Sequence, residues 1–74
     1  MATHEVRAEI AANVWQVVAE VGSLVAEGDE LVILESMKME IPVEAPVSGT
    51  LREMHVAPEQ QVQEGDLIAI IDDA

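Results

Sequence analysis

Residues 25–35 read VAEGDELVILE, and residues 62–72 read VQEGDLIAIID. Both segments contain Glu-Gly-Asp followed by an apolar run, and the second lies 37 positions after the first, half of the 74-residue chain. A Gly-Asp pair is typical of a tight turn that leads into a strand. The repeat therefore predicts two related halves, each with the same turn and strand in the same place.

The same offset aligns apolar residues that precede these two segments. The aligned pairs are Ala8 with Ala45, Ile10 with Val47, Val14 with Leu51, Val17 with Met54, and Ala19 with Val56. Short alternating runs between Gly, Pro and Glu-Gly-Asp predict about four strands in each half. We therefore expect an all-β fold in which two small sheets pack face to face as a flattened barrel with an internal pseudo-twofold axis. Because no linker-like stretch appears, residues 1–74 are predicted to form a single domain.

The charge of the chain is strongly one-sided. Fifteen acidic residues face three basic ones, for a net charge of −12. Nucleic acids and anionic membranes are bound through Lys and Arg, so neither is an expected partner. The acidity favours either solubility at high concentration or attraction to a partner with a basic surface. No cysteine is available for a disulfide, the longest apolar run is too short to span a bilayer, and no signal peptide is evident. We expect a soluble cytoplasmic protein.

Lys38 is the only lysine, and it lies where the two halves join. A strand is predicted to end near Glu35 and the next to begin near Glu40, with Met37, Lys38 and Met39 between them. Tight hairpin turns favour Asn, Gly or Asp because their central residues take positive φ. A segment that lacks these residues indicates selection for something other than easy folding.

Two interpretations of the flanking methionines remain open. Met37 and Met39 are soft side chains suited to adaptable contacts, which would present the amine of Lys38 to a partner. Alternatively, both methionines belong to the core and Lys38 merely solvates a loop.

Residues 35–39 (ESMKM) resemble the biotin-attachment motif of biotin carboxyl carrier proteins and biotinyl domains. The resemblance covers nearly the whole chain and includes residues 41–49, with Pro46 and Gly49, and the closing turn at 62–67. It implies an eight-stranded flattened barrel, or barrel sandwich hybrid, that carries a covalent cofactor and has no catalytic residues. Lipoyl domains of similar fold usually present Asp-Lys-Ala, which is absent here. Biotin is therefore the predicted cofactor, and lipoate is the alternative.

The resemblance also implies the partners. A biotin protein ligase would join biotin to the amine of Lys38 through an amide, and the biotin would then carry carboxyl groups from a biotin carboxylase to a carboxyltransferase. The residues expected to be recognised by the ligase are Glu35, Ser36, Met37, Met39 and Glu40. The two glutamates have a simpler interpretation as solvated residues that cap strand ends.

The chain departs from some relatives of this kind. No extra segment lies between Val18 and Gly28, so the thumb insertion of certain bacterial carriers is missing. The sequence resembles the thumbless domains at the end of carboxylase subunits, although those belong to longer chains. We expect a separate, monomeric carrier subunit. The alternatives are a lipoyl carrier for acyl transfer and an acidic interaction or regulatory protein that uses the fold unmodified.

Three other residues carry expectations. Trp15, the only aromatic residue, is expected to be half-exposed, where it either covers the sheet or contacts a partner. His4 and His55 lie far apart along the chain and lack paired ligands, so no metal site is predicted.

Overall fold

The computed structural model describes residues 2–73, and its regular elements are strands. In chain order they are β1 Ala2–Arg7, β2 Ala12–Val17, β3 Leu24–Val25, β4 Glu30–Ser36, β5 Met39–Glu44, β6 Gly49–Met54, β7 Gln61–Val62 and β8 Leu67–Asp73. Over these residues, the structure has no helix with the length and hydropathy to cross a membrane.

The strands repeat with the offset that the sequence predicts. Adding 37 to the bounds of β1, β2, β3 and β4 gives the bounds of β5, β6, β7 and β8. The strands form two four-stranded antiparallel sheets, with the orders β1-β8-β6-β3 and β5-β4-β2-β7. Replacing each strand of the first order by its repeat mate produces the second order. The predicted all-β barrel of two pseudo-twofold-related halves is thus confirmed.

The two halves exchange strands. Each sheet contains two strands from the first half and two from the second, and the longest ladders join β4 to β5 and β8 to β1. Neither half has a sheet of its own, so neither can bury its apolar face or satisfy its backbone without the other.

The two Glu-Gly-Asp segments form matching turns. Gly28 and Gly65 adopt φ of 91° and 90°. The carboxylate of Asp29 accepts a hydrogen bond from the Ala26 amide (2.9 Å), and that of Asp66 accepts one from the Gln63 amide (2.8 Å). Positive φ at the third position of a turn requires glycine for an unstrained backbone, and the aspartate side chain closes the turn. Each turn sets the start of the long strand that follows it.

The core is entirely apolar among the residues described. Its members are Val6, Ala8, Val14, Val25, Leu31, Val32, Leu34, Ala45, Leu51, Val56, Val62, Ile68, Ala69 and Ile71. Most of them are related in pairs by the repeat, and no polar or charged residue within 2–73 is buried with them. At the usual 25 cal/mol per Å² of buried apolar surface, this shared interior is the main source of stability.

One polar contact joins the ends of β1 and β8. Nε2 of His4 lies 2.7 Å from a carboxylate oxygen of Asp73, and the Ala2 amide donates to the other oxygen at 2.7 Å. These hydrogen bonds, with that of His4 the larger influence, lower the pKa of Asp73 from its ordinary value of 3.8. The contact holds the edge strand β1 against β8.

We expect Gly49→Ala to destabilise the barrel by about 1–3 kcal/mol, because it overpacks a close contact between strands. A Cβ at Gly49 would collide with the carbonyl oxygen of Asp72 and lie 3.0 Å from Cγ2 of Ile71. Urea denaturation would measure the loss. Ala12→Gly, at the repeat mate, is the matched control and is expected to cost only about 0.5–1 kcal/mol. Equal losses in the two variants would contradict this account.

We also expect Asp73→Asn to remove stability that is present at neutral pH. A carboxylate with a lowered pKa contributes above its ordinary pKa, and the contribution disappears as the pH falls through the lowered value. The melting temperatures of wild type and variant should therefore differ at neutral pH and converge in acid. Glu53→Gln is the control, because the side chain of Glu53 contacts His55 (2.7 Å), which is only two residues away on the same segment. A difference that is constant with pH would count against the linkage.

Candidate functional site

Strands β4 and β5 are joined by a two-residue turn with Met37 and Lys38 at its centre. Ser36 pairs with Met39 to close the hairpin, and the ladder continues from there along both strands. Met37 has a φ of 53° and Lys38 a φ of 66°, so both occupy the left-handed region. Two successive residues in this region are the signature of a type I′ turn. The prediction that this turn is occupied by residues poorly suited to positive φ is confirmed.

The hairpin keeps this strained turn because the strands on either side leave it no alternative. A left-handed conformation costs a residue with a side chain about 1–2 kcal/mol relative to glycine. The twist of a type I′ turn matches that of the flanking strands, and the β4–β5 ladder fixes the register. The tip is therefore a defined projection of the sheet rather than a loose loop.

The side chains at the tip face solvent. Met37 is 91% exposed and Met39 is 65% exposed, and Lys38 is also exposed. The interpretation that placed both methionines in the core is wrong. The ion pairs within residues 2–73 join His4 to Asp73, Arg7 to Glu5, Arg52 to Asp72, and His55 to Glu53. None of them includes Lys38.

The two glutamates of the motif lie directly opposite each other. Glu35 of β4 pairs with Glu40 of β5, and both side chains are exposed. Like charges at directly opposed positions destabilise a sheet. Both residues lie inside their strands, one position in from the turn, and Ser36 between Glu35 and the turn is partly buried. The hairpin thus carries an acidic pair at the base of its exposed tip.

The structure also brings residues to the hairpin that the motif does not contain. Asn13 of β2 pairs with Glu35. The turn at 57–60 lies on the other side of β2, where the amide of Glu59 donates a hydrogen bond to the carbonyl oxygen of Val14 (2.7 Å). Sequence reasoning did not place that turn beside the motif. A signal was present, because Glu59 is the repeat mate of Gly22, and a change from glycine at such a position draws attention to the side chain.

The remaining candidate residues lie elsewhere. Trp15 is 49% exposed, as predicted. His4 and His55 are each paired with a carboxylate, and in the part of the chain that the structure describes no group of three or more His, Asp or Glu could hold a metal ion.

The fold and the hairpin together define a class of protein. A two-sheet barrel that holds an exposed lysine on a rigid turn is an attachment domain for a prosthetic group. Residues 4–71 match the biotin/lipoyl family, described as "Biotin-requiring enzyme", and the chain belongs to this family.

Two relatives match most of this chain but differ greatly in their own length. The chain is 52% identical over 67 residues to "Biotinylated protein TB7.3 homolog" of Mycobacterium leprae, a match that covers 90% of this chain and 94% of the relative. It is 44% identical over 69 residues to pyruvate carboxylase of Bacillus subtilis, where the match covers 93% of this chain and only 6% of the enzyme.

A solved structure also contains a similar domain within a much longer chain. The urea carboxylase of Kluyveromyces lactis superposes with a TM-score of 0.91 at 33% identity, over 97% of this chain and 6% of that chain. Homology to these proteins confirms the family resemblance and biotin as the cofactor. The residues fit the group, since the exposed amine of Lys38 is a suitable acceptor for an acyl chain.

We expect Met37→Asn to stabilise the protein by about 1 kcal/mol, because Asn accepts the left-handed conformation that strains Met. Chemical denaturation followed by circular dichroism would measure the change. Met39→Asn is the matched control, since Met39 lies in a strand, where Asn gives no advantage. A Met37→Asn protein that is no more stable than the Met39→Asn protein would show that the turn is not strained.

Proposed function

We propose that this chain is a biotin carboxyl carrier that is biotinylated on Lys38. The observation that carries the proposal is the hairpin, which presents the only lysine of the chain between two exposed methionines. Its rigid backbone lets another enzyme recognise a fixed shape, and the absence of a second lysine leaves no competing side-chain amine.

Attachment requires a biotin protein ligase. Only a neutral amine is nucleophilic, so the ligase must supply a base that takes the proton released from Nζ of Lys38. The amine then attacks the carbonyl carbon of biotinyl-adenylate. A C–N amide bond forms, the bond from that carbon to the phosphate oxygen breaks, and AMP leaves with the electron pair. The carrier contributes the position of the amine, and the ligase contributes the base and the activated acyl group.

The residues around Lys38 are proposed to be recognised by the ligase. They are Glu35, Ser36, Met37, Met39 and Glu40. The methionines offer adaptable apolar contacts on a fixed backbone. The opposed glutamates repel each other in the free domain, and a basic surface on the ligase would relieve that repulsion.

The carrier role follows from the tether. Biotin supplies a ureido nitrogen that takes up and releases a carboxyl group. A rigid domain with a long flexible arm raises the effective concentration of that group at each site it visits. Relatives named pyruvate carboxylase and urea carboxylase support a biotin carboxylase and a carboxyltransferase as the partners. We infer a non-catalytic, monomeric, cytoplasmic carrier, and the near-complete match to the relative from Mycobacterium leprae supports a separate subunit.

Intact mass spectrometry tests the attachment. Co-expression with a biotin protein ligase and excess biotin should add one biotinyl group to the wild-type chain and none to Lys38→Arg, which keeps the charge. Addition of a lipoyl group instead, in cells that contain both ligases, would support the lipoyl alternative.

An unmodified wild-type chain under these conditions would overturn the proposal. So would full carboxylase activity of a complex that contains Lys38→Arg, which would indicate an interaction or regulatory role for the unmodified fold. Met37→Ala and Met39→Ala test recognition, and both should be biotinylated more slowly than Met54→Ala, a methionine outside the hairpin.

A further inference from the structure

A shallow groove of about 500 Å³ lies beside the hairpin, against the sheet of order β5-β4-β2-β7. It is lined by Asn13, Val14, Trp15, Glu35, Pro58 and Glu59. We call it the Trp15 groove. Val14 is buried in the core and its neighbour Trp15 is exposed, so the indole lies on the outer face of the sheet.

The walls of the groove are fixed to the strand that carries Trp15. On one side, Glu35 belongs to β4 and pairs with Asn13. On the other, the turn at 57–60 is held by hydrogen bonds from the Glu59 amide to Val14 (2.7 Å) and from the Val14 amide to Gln60 (2.8 Å). The groove is therefore formed in the free protein and does not need a partner to assemble it.

The pseudo-twofold axis supplies an internal comparison. At the equivalent place in the other sheet, the residue in the position of Trp15 is Arg52. Its Nη1 lies 3.9 Å from a carboxylate oxygen of Asp72, the repeat mate of Glu35. The barrel is built equally well there without an aromatic residue, so the fold does not require Trp15. The aromatic side chain occurs only on the side that carries Lys38.

The turn shows a second difference between the two sides. Glu59 has a φ of 73°, while its mate Gly22 has a φ of 94°. Glycine adopts this conformation without strain, whereas a residue with a side chain does so at a cost. The structure holds the carboxylate of Glu59 in the groove at a position where glycine would adopt the backbone conformation without strain.

The groove lies within reach of Lys38. Trp15 is the extra residue of a bulge in β2, opposite the bond between Leu34 and Ile33 of β4. Leu34 is four positions from Lys38, and the last two of these form the turn, so at about 3.3 Å per extended residue the two residues are separated by at most about 13 Å. An extended lysine side chain followed by a valeryl chain spans a similar distance, so a group at the end of that arm reaches the indole.

The chemistry of the groove fits the head group of biotin. Its urea has one carbonyl acceptor and two N–H donors, and its fused ring carries a thioether. The Asn13 amide can donate to the carbonyl, and the carboxylates of Glu35 and Glu59 can accept from the N–H groups. The face of Trp15 offers apolar and sulfur–aromatic contact. We propose that the Trp15 groove is a docking site for the head group of the biotin carried by Lys38.

The contact between the biotin head group and the Trp15 groove can be weak and still hold a large fraction of the arm in the docked state. This inference rests on the proposed function, because the ligand is tethered to the same domain. A short flexible tether gives an effective concentration in the millimolar range, so an intrinsic dissociation constant of about 1 mM would divide the arm roughly equally between docked and free states. Partner enzymes would then bind the free fraction, and the groove would keep the arm near the domain between visits.

The fluorescence of Trp15, the only tryptophan, provides a readout independent of carboxylase activity. Intact mass is used first to show that the chain is fully biotinylated. Biotinylation of the wild type should then lower the iodide-quenching constant of Trp15 by roughly twofold, in line with half occupancy of the groove. Amide chemical shifts should change in residues 13–15 and 57–60 as well as at the hairpin. Lys38→Arg with free biotin at micromolar concentration, far below the dissociation constant of about 1 mM, should show neither effect.

Capture by immobilised avidin gives a second test, because avidin binds only the free arm. Biotinylated Trp15→Ala should be captured about twofold faster than the biotinylated wild type. Arg52→Ala, at the repeat mate, should be captured at the wild-type rate, and circular dichroism would show that both variants are folded. Equal quenching constants before and after full biotinylation, or equal capture rates for all three proteins, would overturn the docking site and leave the carrier function standing. An unmodified chain would instead refute the carrier function itself.

Discussion

The antiparallel pairing of β4 with β5 links the two halves of the repeat and sets the geometry of the Lys38 turn. These strands belong to different halves of the repeat, so their ladder exchanges strands between the halves and completes one of the two sheets. The same ladder forces the two residues that connect the strands into the left-handed region. A single set of backbone hydrogen bonds thus completes one sheet and shapes the tip that carries Lys38.

The pseudo-twofold axis separates what the fold needs from what the function needs. Core positions are apolar in both halves, and the Glu-Gly-Asp turns coincide. Two of the differences between mates lie beside the hairpin, where Trp15 stands in place of Arg52 and Glu59 in place of Gly22. At the mate of the hairpin, β8 pairs with β1 and the contact between His4 and Asp73 joins them. The same scaffold therefore carries the Lys38 turn at one position and a structural contact between His4 and Asp73 at the equivalent position.

The acidity of the chain has a local consequence as well as a global one. A net charge of −12 produces electrostatic repulsion between copies of the domain. At the base of the hairpin the charges are concentrated on two opposed strands, where Glu35 faces Glu40. Such a pair costs the free domain stability and attracts a basic surface. The lysine is thus the single positive charge at an acidic tip, on a backbone that holds it away from the core.

The repeat is readable in the sequence alone, as are the strand positions, the apolar core and the prominence of Lys38, because alternation, Gly-Asp turns and unsuitable turn residues are local properties. The sequence also supports two interpretations of Met37 and Met39, and their exposure in the structure distinguishes them. The folded structure adds the exchange of strands between the halves, since an offset between segments does not say which strands share hydrogen bonds. It likewise brought Trp15 and Glu59 to the hairpin. Their proximity depends on the pairing of β2 with β4 and β7, which no local pattern specifies.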